Sequence, residues 1–416
     1  MLDLFPDSAS IEDGRLAIGG LDASALAEDF GTPLVVYCEQ TLRARARAYR
    51  EAAPEARILY SVKAFPNLAV LRLFAEEGLG AEVSALGELE FARRAGLTGE
   101  KILVDGNNKS EEEIRAAADA GASFVVDAAD DLERAAGAGL RGDVLVRVTP
   151  GIDAETHDAI RTGHTGSKFG LPPDEAMDAI GRGGVTGLHV HIGSQLLDLG
   201  AERMTIDWLA GFAAACRARF DWTPSVVDLG GGLGVRYRVD DPELPIDRFV
   251  GTLVERIRRA WELHDLPQPI LVLEPGRSLV GDAAVSLYRV GVVKRASETT
   301  TYVAVDGGMS DNPRPQLYGA RFSAFLADRM SDEPSGSFTV CGKHCESGDV
   351  MIDRISLPEP RRGDVLAVPV TGAYTLALAS NYNGVPRPAA VLVGDGYARL
   401  IRRRETVEDL LALEDG

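Results

Sequence analysis

Short apolar runs alternate with longer amphipathic stretches along the first two thirds of the chain. Short runs rich in β-branched residues predict buried strands, and apolar residues that recur every three or four positions predict helices. The strand-like runs are eight in number and begin near Arg57, Gly80, Lys101, Ala122, Asp143, Val185, Ser225 and Pro269.

Helical patterns lie between these runs. They cover residues 68–77, 87–95, 110–120, 129–138, 173–180, 202–220 and 246–263, and a further helix over 39–51 precedes the first run. Eight alternating strands and helices over roughly 240 residues fit a parallel (β/α)8, TIM-like barrel. Periodicity alone leaves a doubly wound open sheet as the alternative, and the count of eight favours the barrel.

The pattern changes after about residue 279. Short apolar runs at 284–290, 301–305, 365–369 and 389–393 are separated by turn residues, which predicts a mostly antiparallel β-barrel or sandwich. The run at 16–21 is expected to lend a strand to the same β domain. The predicted domains are therefore a barrel over 34–279 and a β domain made of 1–33 plus 280–416.

Composition limits the setting in which the protein works. The chain has 44 basic and 63 acidic residues and a net charge of −19, which disfavours binding to nucleic acid or to anionic membranes. Its N-terminus has neither a basic start nor a long apolar run, so no secretion signal or membrane span is expected. Four scattered cysteines do not suggest a disulfide framework, and a cytoplasmic location is expected.

A lysine ends the first strand-like run. Lys63 stands between apolar neighbours, where a lysine is unusual. Burial lowers the pKa of an amine and frees the lone pair that an imine-forming lysine needs. The alternative is a side chain that extends from the strand end into solvent. Chemistry in this type of barrel lies at the C-terminal ends of the strands, which favours a functional lysine.

The ends of the seventh and eighth runs carry groups suited to an anionic cofactor. Gly230, Gly231 and Gly232 follow an apolar run, and consecutive glycines let backbone N–H groups approach an oxyanion. Glu274 follows four apolar residues, so its carboxylate needs a cationic partner, for which a protonated pyridine nitrogen would serve. Arg277 can bind a phosphate or carboxylate with two hydrogen bonds.

Two histidines end the sixth run. His189 and His191 share a face in a strand, a pattern that also fits metal ligands, but no third ligand stands at a diagnostic spacing. We therefore expect no metal. A lysine, a carboxylate that faces a pyridine, a flat ring and a phosphate cradle at one end of a barrel together predict a pyridoxal phosphate site.

Several motifs resemble a known family. They are His344-Cys345-Glu346-Ser347-Gly348-Asp349, Asp306-Gly307-Gly308-Met309-Ser310-Asp311, Arg314-Pro315-Gln316-Leu317-Tyr318, Gly372-Ala373-Tyr374 and Ala379-Ser380-Asn381-Tyr382-Asn383. With these motifs the chain resembles the fold-type III pyridoxal phosphate decarboxylases over nearly its whole length, and within them those that act on diaminopimelate. The resemblance implies an alanine racemase-like fold of barrel plus β domain, and a head-to-tail homodimer with shared active sites.

The resemblance also implies roles for single residues. Lys63 would form the imine with pyridoxal 5′-phosphate, His191 would stack on the cofactor ring, and Glu274 would contact the pyridine nitrogen. The phosphate would be surrounded by Ser194, Gly230, Gly231, Gly232, Arg277 and Tyr374. Cys345, supplied by the second subunit, would donate a proton after carbon dioxide leaves.

The same resemblance implies decarboxylation of meso-2,6-diaminopimelate to L-lysine and carbon dioxide. The distal carboxylate of this substrate would be bound by Arg277, Arg314 and Tyr318, with Tyr374 close by, and its distal ammonium by Glu346. Ornithine and lysine have no distal carboxylate, so they would leave Arg314 unpaired, at a cost of about a few kcal/mol.

Three other readings remain open from the sequence. The first is a related decarboxylase of ornithine, lysine, arginine or a carrier-bound amino acid. The second is a noncatalytic relative, which would have no need of Lys63, Glu274 and Cys345. The third is an amino-acid racemase, which is disfavoured because racemases of this fold usually have arginine near the pyridine nitrogen.

Overall fold

A computed structural model of the protein describes residues 2–152 and 166–415. The chain divides into two compact units. The barrel unit comprises Arg45–Gly234 and Glu243–Ser278, and the β unit comprises Met1–Ala44, Val235–Pro242 and Leu279–Gly416.

The chain begins with a small sheet. Its elements are β1 (Ser10–Glu12), β2 (Arg15–Ile18) and β3 (Leu21–Asp22), followed by α1 (Ala23–Asp29), β4 (Leu34–Cys38) and α2 (Glu39–Ala52). The run at 16–21 contributes to strands β2 and β3 within the β unit, in a three-stranded sheet that is separate from the main sheet. Gly19 and Gly20 both have positive φ, at 60° and 78°, and turn the chain back so that β2 pairs with β3 on one side and β1 on the other.

Eight parallel strands close into a barrel in the order β10-β11-β12-β5-β6-β7-β8-β9. The strands are β5 (Arg57–Ser61), β6 (Gly80–Val83), β7 (Ile102–Val104), β8 (Ser123–Val126), β9 (Val144–Arg147), β10 (Gly187–His189), β11 (Val226–Asp228) and β12 (Ile270–Leu273). Leu59, Leu103, Val125, Leu145, Val226 and Val272 form one buried apolar cluster within it. The predicted TIM-like barrel is confirmed, and the open sheet is excluded.

Helices follow the strands of the barrel. They are α3 (Leu68–Glu76), α4 (Leu86–Arg94), α5 (Glu111–Ala120), α6 (Asp131–Gly137), α7 (Pro173–Gly181), α8 (Gly200–Phe220) and α9 (Ile246–Leu263). Local sequence sets several of their ends: Asn67 accepts the first backbone N–H groups of α3, and Ser110 with Glu113 forms a capping box on α5.

The rest of the chain is mostly β structure. Its elements are α10 (Arg277–Val280), β13 (Ala284–Arg295), β14 (Thr301–Val305), α11 (Arg314–Tyr318), β15 (Phe325–Leu326), β16 (Gly336–Cys341), β17 (Val350–Leu357), β18 (Val365–Pro369), β19 (Ala389–Gly394), β20 (Tyr397–Arg402) and α12 (Val407–Leu411). The main sheet runs β17-β16-β14-β13-β4-β19-β20, and β18 pairs with β13 and β15. Only the pairs β4/β19 and β14/β16 in it are parallel, so the predicted, mostly antiparallel β domain is confirmed.

Two apolar cores lie within the β unit because β13 is buried on both faces. Val285 and Leu287 pack in one core, and Tyr288 and Val290 in the other. Strand β4 lies at the centre of this sheet, between β13 and β19, so residues 34–44 group with the β unit and not with the barrel. The predicted division into a barrel over 34–279 and a β domain of 1–33 plus 280–416 stays a prediction.

Within residues 2–152 and 166–415, no helix has both the length and the apolar character that crossing a membrane requires. All four cysteines, Cys38, Cys216, Cys341 and Cys345, are free thiols.

Barrel closure predicts a strong effect at Gly187 in β10. A Cβ atom there would lie 2.4 Å from the Val226 carbonyl oxygen of the neighbouring strand. We expect Gly187→Ala to lower the free energy of unfolding by about 2–3 kcal/mol, because the strands must move apart. Gly251→Ala is the control: it has open space within α9 and should stabilise by about 0.5–1 kcal/mol. Urea unfolding of both variants checks this, and equal midpoints would contradict it.

Candidate active site

Polar side chains gather where the barrel strands end. Because all eight strands are parallel, their C-terminal ends meet at one rim of the barrel. The side chains there are Ser61 at the end of β5, Lys63 after it, Glu82 in β6, Asp105 after β7, Asp127 after β8, Arg147 at the end of β9, His189 at the end of β10, Asp228 at the end of β11 and Glu274 after β12.

Lys63 lies in a 3₁₀ turn, Val62–Ala64, directly after β5. Its backbone neighbours are buried, but its side chain is 44% exposed, so the expectation of a buried amine is wrong. The Lys63 Nζ atom lies 3.1 Å from Oε2 of the fully buried Glu82. Ser61 donates its hydroxyl hydrogen to the same Glu82 oxygen at 2.6 Å. The amine is therefore oriented by a buried carboxylate.

Burial and the neighbouring Lys63 have opposite effects on the pKa of Glu82. Burial raises its pKa, the Lys63 ammonium opposes that rise, and the net pKa is raised. Glu82 was not predicted as a partner of Lys63, since it stands inside an apolar strand pattern and resembles an ordinary strand residue.

Glu274 is buried, and its partner in this structure is His189. The Nε2 atom of His189 lies 3.5 Å from Oε1 of Glu274, and Asp228 completes a buried cluster whose polar atoms lie within 4.8 Å of one another. Burial lowers the pKa of His189, but the nearby charge of Glu274 outweighs this effect and raises the pKa to about 9. At neutral pH His189 is therefore an imidazolium ion between two acids.

Asp228 links this cluster to the glycine run. Burial and the Glu274 charge raise the pKa of Asp228 well above its ordinary value. Its Oδ1 atom accepts the N–H of Gly230 at 2.7 Å. The two histidines considered as metal ligands therefore differ in their surroundings. His189 lies beside Asp228 and Glu274, whereas His191 lies beside Gly230.

His191 is a neutral ring. Burial lowers its pKa well below the ordinary value, and the nearby charges of Arg147 and Lys63 lower it further. Gly230 leaves room for this ring, because a Cβ atom at Gly230 would lie 2.7 Å from the Nδ1 atom of His191. A neutral, flat imidazole is suited to stacking on an aromatic cofactor.

The glycine run and Arg277 lie on neighbouring loops. A Cβ atom at Gly231 would lie 2.4 Å from the carbonyl oxygen of Glu274, so only glycine allows the two loops to pack this closely. Arg277 begins α10 and is buried, and its Nη2 atom donates to the Ser194 hydroxyl at 3.3 Å. Arg277 and Ser194, which were both predicted to bind phosphate, are therefore in contact.

A further network of charged side chains, formed by Arg147 with Asp105 and Asp127, lies at this rim. Arg147 lies 2.9 Å from Asp105 and 3.6 Å from Asp127, and all three are buried. Burial alone would raise the pKa of Asp105, but the charges of Arg147 and His189 bring it below its ordinary value. This network pairs the buried acids that end β7 and β8.

The remaining predicted residues belong to the β unit. Arg314 and Tyr318 begin and end α11, four residues apart, so they share one side of that short helix. The Nη1 atom of Arg314 contacts the Tyr237 hydroxyl at 2.6 Å, and its guanidinium lies over the Tyr237 ring at 4.6 Å. Tyr237 was not predicted, because it lies in a segment between two barrel strands.

Cys345 and Glu346 are adjacent and exposed on the loop between β16 and β17. The Tyr382 hydroxyl donates to Glu346 Oε1. Tyr374 follows β18 and has φ +58°, a left-handed conformation that non-glycine residues rarely adopt. His344 in this loop and Tyr382 outside it had no assigned role, and their rings pack against each other.

The residues of the barrel unit fit a pyridoxal group. Glu274 has a buried oxygen with no hydrogen-bond partner in the described structure, which suits a cationic ring N–H. Gly230 to Gly232 form a run without side chains whose backbone N–H groups can approach an oxyanion, as a phosphate requires. A parallel barrel with these groups at its rim, joined to an antiparallel β unit, defines the class of barrel enzymes that use pyridoxal phosphate.

Comparison with known proteins identifies the family. Residues 39–281 match the family described as pyridoxal-dependent decarboxylase, pyridoxal binding domain, and the chain belongs to this family. The predicted family and its pyridoxal cofactor are thereby confirmed. Three similar proteins illustrate the extent of the match.

A diaminopimelate decarboxylase of Actinosynnema pretiosum subsp. auranticum is 45% identical over 99% of this chain and 95% of its own length. One from Bacillus subtilis strain 168 is 40% identical over 97% of this chain and 96% of its own. The crystal structure of the M. jannaschii diaminopimelate decarboxylase with L-lysine has a TM-score of 0.92 and 34% identity, and covers 99% of this chain and 98% of that one.

The His189–Glu274 pair predicts a pH-dependent stability of the barrel unit. The pKa of His189 is raised to about 9 in the folded state from an ordinary value near 6.5, so its stabilisation is complete below about pH 6.5 and is lost as the pH rises through about 9. We expect the difference in unfolding free energy between wild type and His189→Gln to shrink by on the order of 3 kcal/mol across this range.

All three tryptophans lie in the barrel unit, so tryptophan fluorescence during urea unfolding reports on that unit. Gln268→Ala, a change at a side chain that does not titrate, between α9 and β12, is the control and should show a constant difference from wild type. A pH-independent difference for His189→Gln would mean that the ion pair does not form.

Proposed function

We propose that the protein catalyses the pyridoxal phosphate-dependent decarboxylation of meso-2,6-diaminopimelate to L-lysine and carbon dioxide, the last step of lysine biosynthesis. The observation that carries this proposal is the 40–45% identity to diaminopimelate decarboxylases over 96–99% of the chain. The residues of the two units support it, each in a distinct role.

The barrel unit would hold the cofactor. Lys63, oriented by Glu82, would bind its aldehyde carbon covalently, and the neutral ring of His191 would cover one face. Ser194, Gly230, Gly231, Gly232, Arg277 and Tyr374 would bind the phosphate. When bound, the cofactor supplies a protonated pyridine ring that accepts the electron pair left when the carboxylate departs as carbon dioxide.

Glu274 and His189 would keep that ring protonated. The His189 Nε2 atom lies 3.5 Å from Oε1 of Glu274 and would hold this carboxylate in place. The Glu274 carboxylate, whose Oε1 atom has no hydrogen-bond partner in the described structure, would then accept the pyridine N–H. His189 is thus a positioning residue in this proposal, because it acts on the cofactor only through Glu274.

Residues of the β unit would recognise the substrate. Arg314 and Tyr318, with Arg277 and Tyr374, would bind the distal carboxylate, and Glu346 the distal ammonium. Tyr237 supports this role for Arg314, since its hydroxyl and ring hold the guanidinium plane in one orientation. A fixed guanidinium loses less entropy when it binds a carboxylate.

Cys345 would complete the reaction. Its thiol would donate a proton to the carbon that has lost carbon dioxide, and the thiolate would recover a proton from solvent. We propose further that Cys345 comes from the second subunit of a homodimer with shared sites. The exposure of both Cys345 and Glu346 supports this, because each is accessible to another copy of the chain. Four free thiols support a reducing, cytoplasmic setting.

Substrate choice is tested by product analysis. With pyridoxal phosphate, we expect meso-diaminopimelate to give L-lysine and carbon dioxide in equal amounts, and kcat/KM for ornithine, lysine or arginine to be at least about 100-fold lower, because these lack the distal carboxylate. Borohydride reduction should attach the cofactor to Lys63, as peptide mass spectrometry would show. Preferred turnover of another amino acid would overturn the assignment in favour of a related decarboxylase.

The role of Cys345 is tested by Cys345→Ala. We expect turnover to fall about 10²- to 10³-fold, the usual contribution of a positioned acid, while the cofactor absorbance stays. Cys341→Ala, a half-buried thiol four residues earlier, is the matched control and should retain most activity.

Shared sites are tested by mixing Lys63→Ala with Cys345→Ala after dissociation and reassociation. A mixed dimer with shared sites holds one intact site, so an equal mixture should recover about a quarter of the wild-type activity. If each site uses residues of a single chain, no mixture recovers activity.

A further inference from the structure

Cys345 and Glu346 lie on an exposed loop, yet their proposed roles require defined positions. A proton donor must come within hydrogen-bond reach of the reacting carbon, and an ammonium ligand must face one direction. Exposed loop residues are usually mobile. The loop therefore needs an anchor outside the two residues themselves.

The residue before Cys345 supplies one anchor. His344 is buried, with its Nε2 atom 2.8 Å from the Ser310 hydroxyl and its Nδ1 atom 3.1 Å from Oδ1 of Asn383. Its backbone N–H donates to the Asp349 carboxylate at 2.9 Å, which closes the loop from the other side. Both ring nitrogens of His344 are thus engaged, and the ring has one orientation.

The residue after Cys345 is held by the neighbour of Asn383. Tyr382 donates its hydroxyl hydrogen to Glu346, and its ring packs against His344 with centroids 5.6 Å apart. Two consecutive residues, Tyr382 and Asn383, therefore contact the residues on either side of Cys345. We call this pair the 382–383 clamp.

The clamp is itself fixed. Asn381 donates to the Val385 carbonyl at 3.1 Å and to Glu405 at 2.6 Å, and Glu405 is paired with Arg387 at 3.0 Å. Asn383 has φ +54°, in the left-handed region that asparagine tolerates better than most residues. The residue before the clamp, Asn381, is therefore held in place by hydrogen bonds.

We propose that the 382–383 clamp positions the catalytic loop, with Asn383 placing Cys345 through His344 and Tyr382 orienting Glu346 towards the distal ammonium of the substrate. This makes Tyr382 a specificity-determining residue, and it rests on the proposed function. Tyr382 is 41% exposed. A hydrogen bond at such a site contributes little to stability, so its main effect is on where the Glu346 carboxylate points.

Tyr382→Phe tests the specificity role with two substrates. 2-Aminopimelate keeps the distal carboxylate of diaminopimelate and lacks its distal ammonium. We expect the KM for diaminopimelate to rise about five- to tenfold, the effect of one hydrogen bond to a charged group, while the KM for 2-aminopimelate changes less than about twofold. An equal change for both substrates, or no change for either, would overturn the role of Tyr382.

Tyr397→Phe is a closely matched control. Tyr397 is 43% exposed, lies in the same unit and also donates its hydroxyl to a glutamate, Glu39. Its loss should alter neither KM. If Tyr397→Phe changed the two KM values as Tyr382→Phe does, the effect would be a general one of removing an exposed hydroxyl, and the proposal would fail.

Asn383→Gly tests the placement of Cys345. Glycine keeps the left-handed backbone and removes only the amide that holds His344. We expect kcat to fall about tenfold with KM nearly unchanged, and the amides of residues 343–349 to exchange hydrogen about tenfold faster. Asp395→Gly, another left-handed position at φ +48°, controls for the added glycine and should change neither. Unchanged kcat and exchange in Asn383→Gly would overturn the clamp.

Hydrogen exchange needs no substrate, so it separates the clamp from the proposed function. If wild type made no lysine from diaminopimelate, the proposed function would fail, and the exchange of residues 343–349 in Asn383→Gly would still decide whether the clamp orders the loop.

Discussion

The buried ion pair between His189 and Glu274 is the interaction on which the cofactor half of the site depends. A carboxylate at this depth is unfavourable without a cation, and the imidazolium 3.5 Å away supplies one. The topology makes the pair, because β10, β11 and β12 are neighbours and their ends bring His189, Asp228 and Glu274 together. Asp228 then accepts the Gly230 N–H, so the same cluster sets the conformation of the glycine run.

The two units position their functional groups in different ways. In the barrel unit the groups stand at strand ends, where the hydrogen-bonded ladder fixes the backbone and buried partners fix the side chains, as Glu82 does for Lys63. In the β unit they stand on a short helix and on loops, and aromatic residues orient them: Tyr237 holds Arg314, and Tyr382 holds Glu346. Rigid strand ends suit a cofactor that stays bound, whereas loops suit a substrate that enters and leaves.

Local pattern was enough to predict the barrel, because its strands are nearly continuous apolar runs separated by amphipathic helices. Local pattern was not enough where contacts between residues distant in sequence determine the structure. An apolar run followed by a helix looks like a barrel unit, so nothing local at 34–52 tells that β4 pairs with β13 and β19. The apolar neighbours of Lys63 are buried, but its own side chain, in the 3₁₀ turn after β5, is partly exposed. Glu82, Tyr237 and Tyr382 were missed since their partners are distant in sequence.

The exposure of Cys345 and Glu346 suits the roles that we propose for them. A thiol that transfers a proton has to approach the substrate and then regain a proton from water, so burying it in a core would prevent both steps. Fixing the loop through His344, which is buried, and through the Tyr382 hydroxyl leaves the reactive atoms accessible while restricting their positions. The exposed Tyr382 contact adds little to folding stability, and in our proposal its consequence is the orientation of the group that recognises the ammonium.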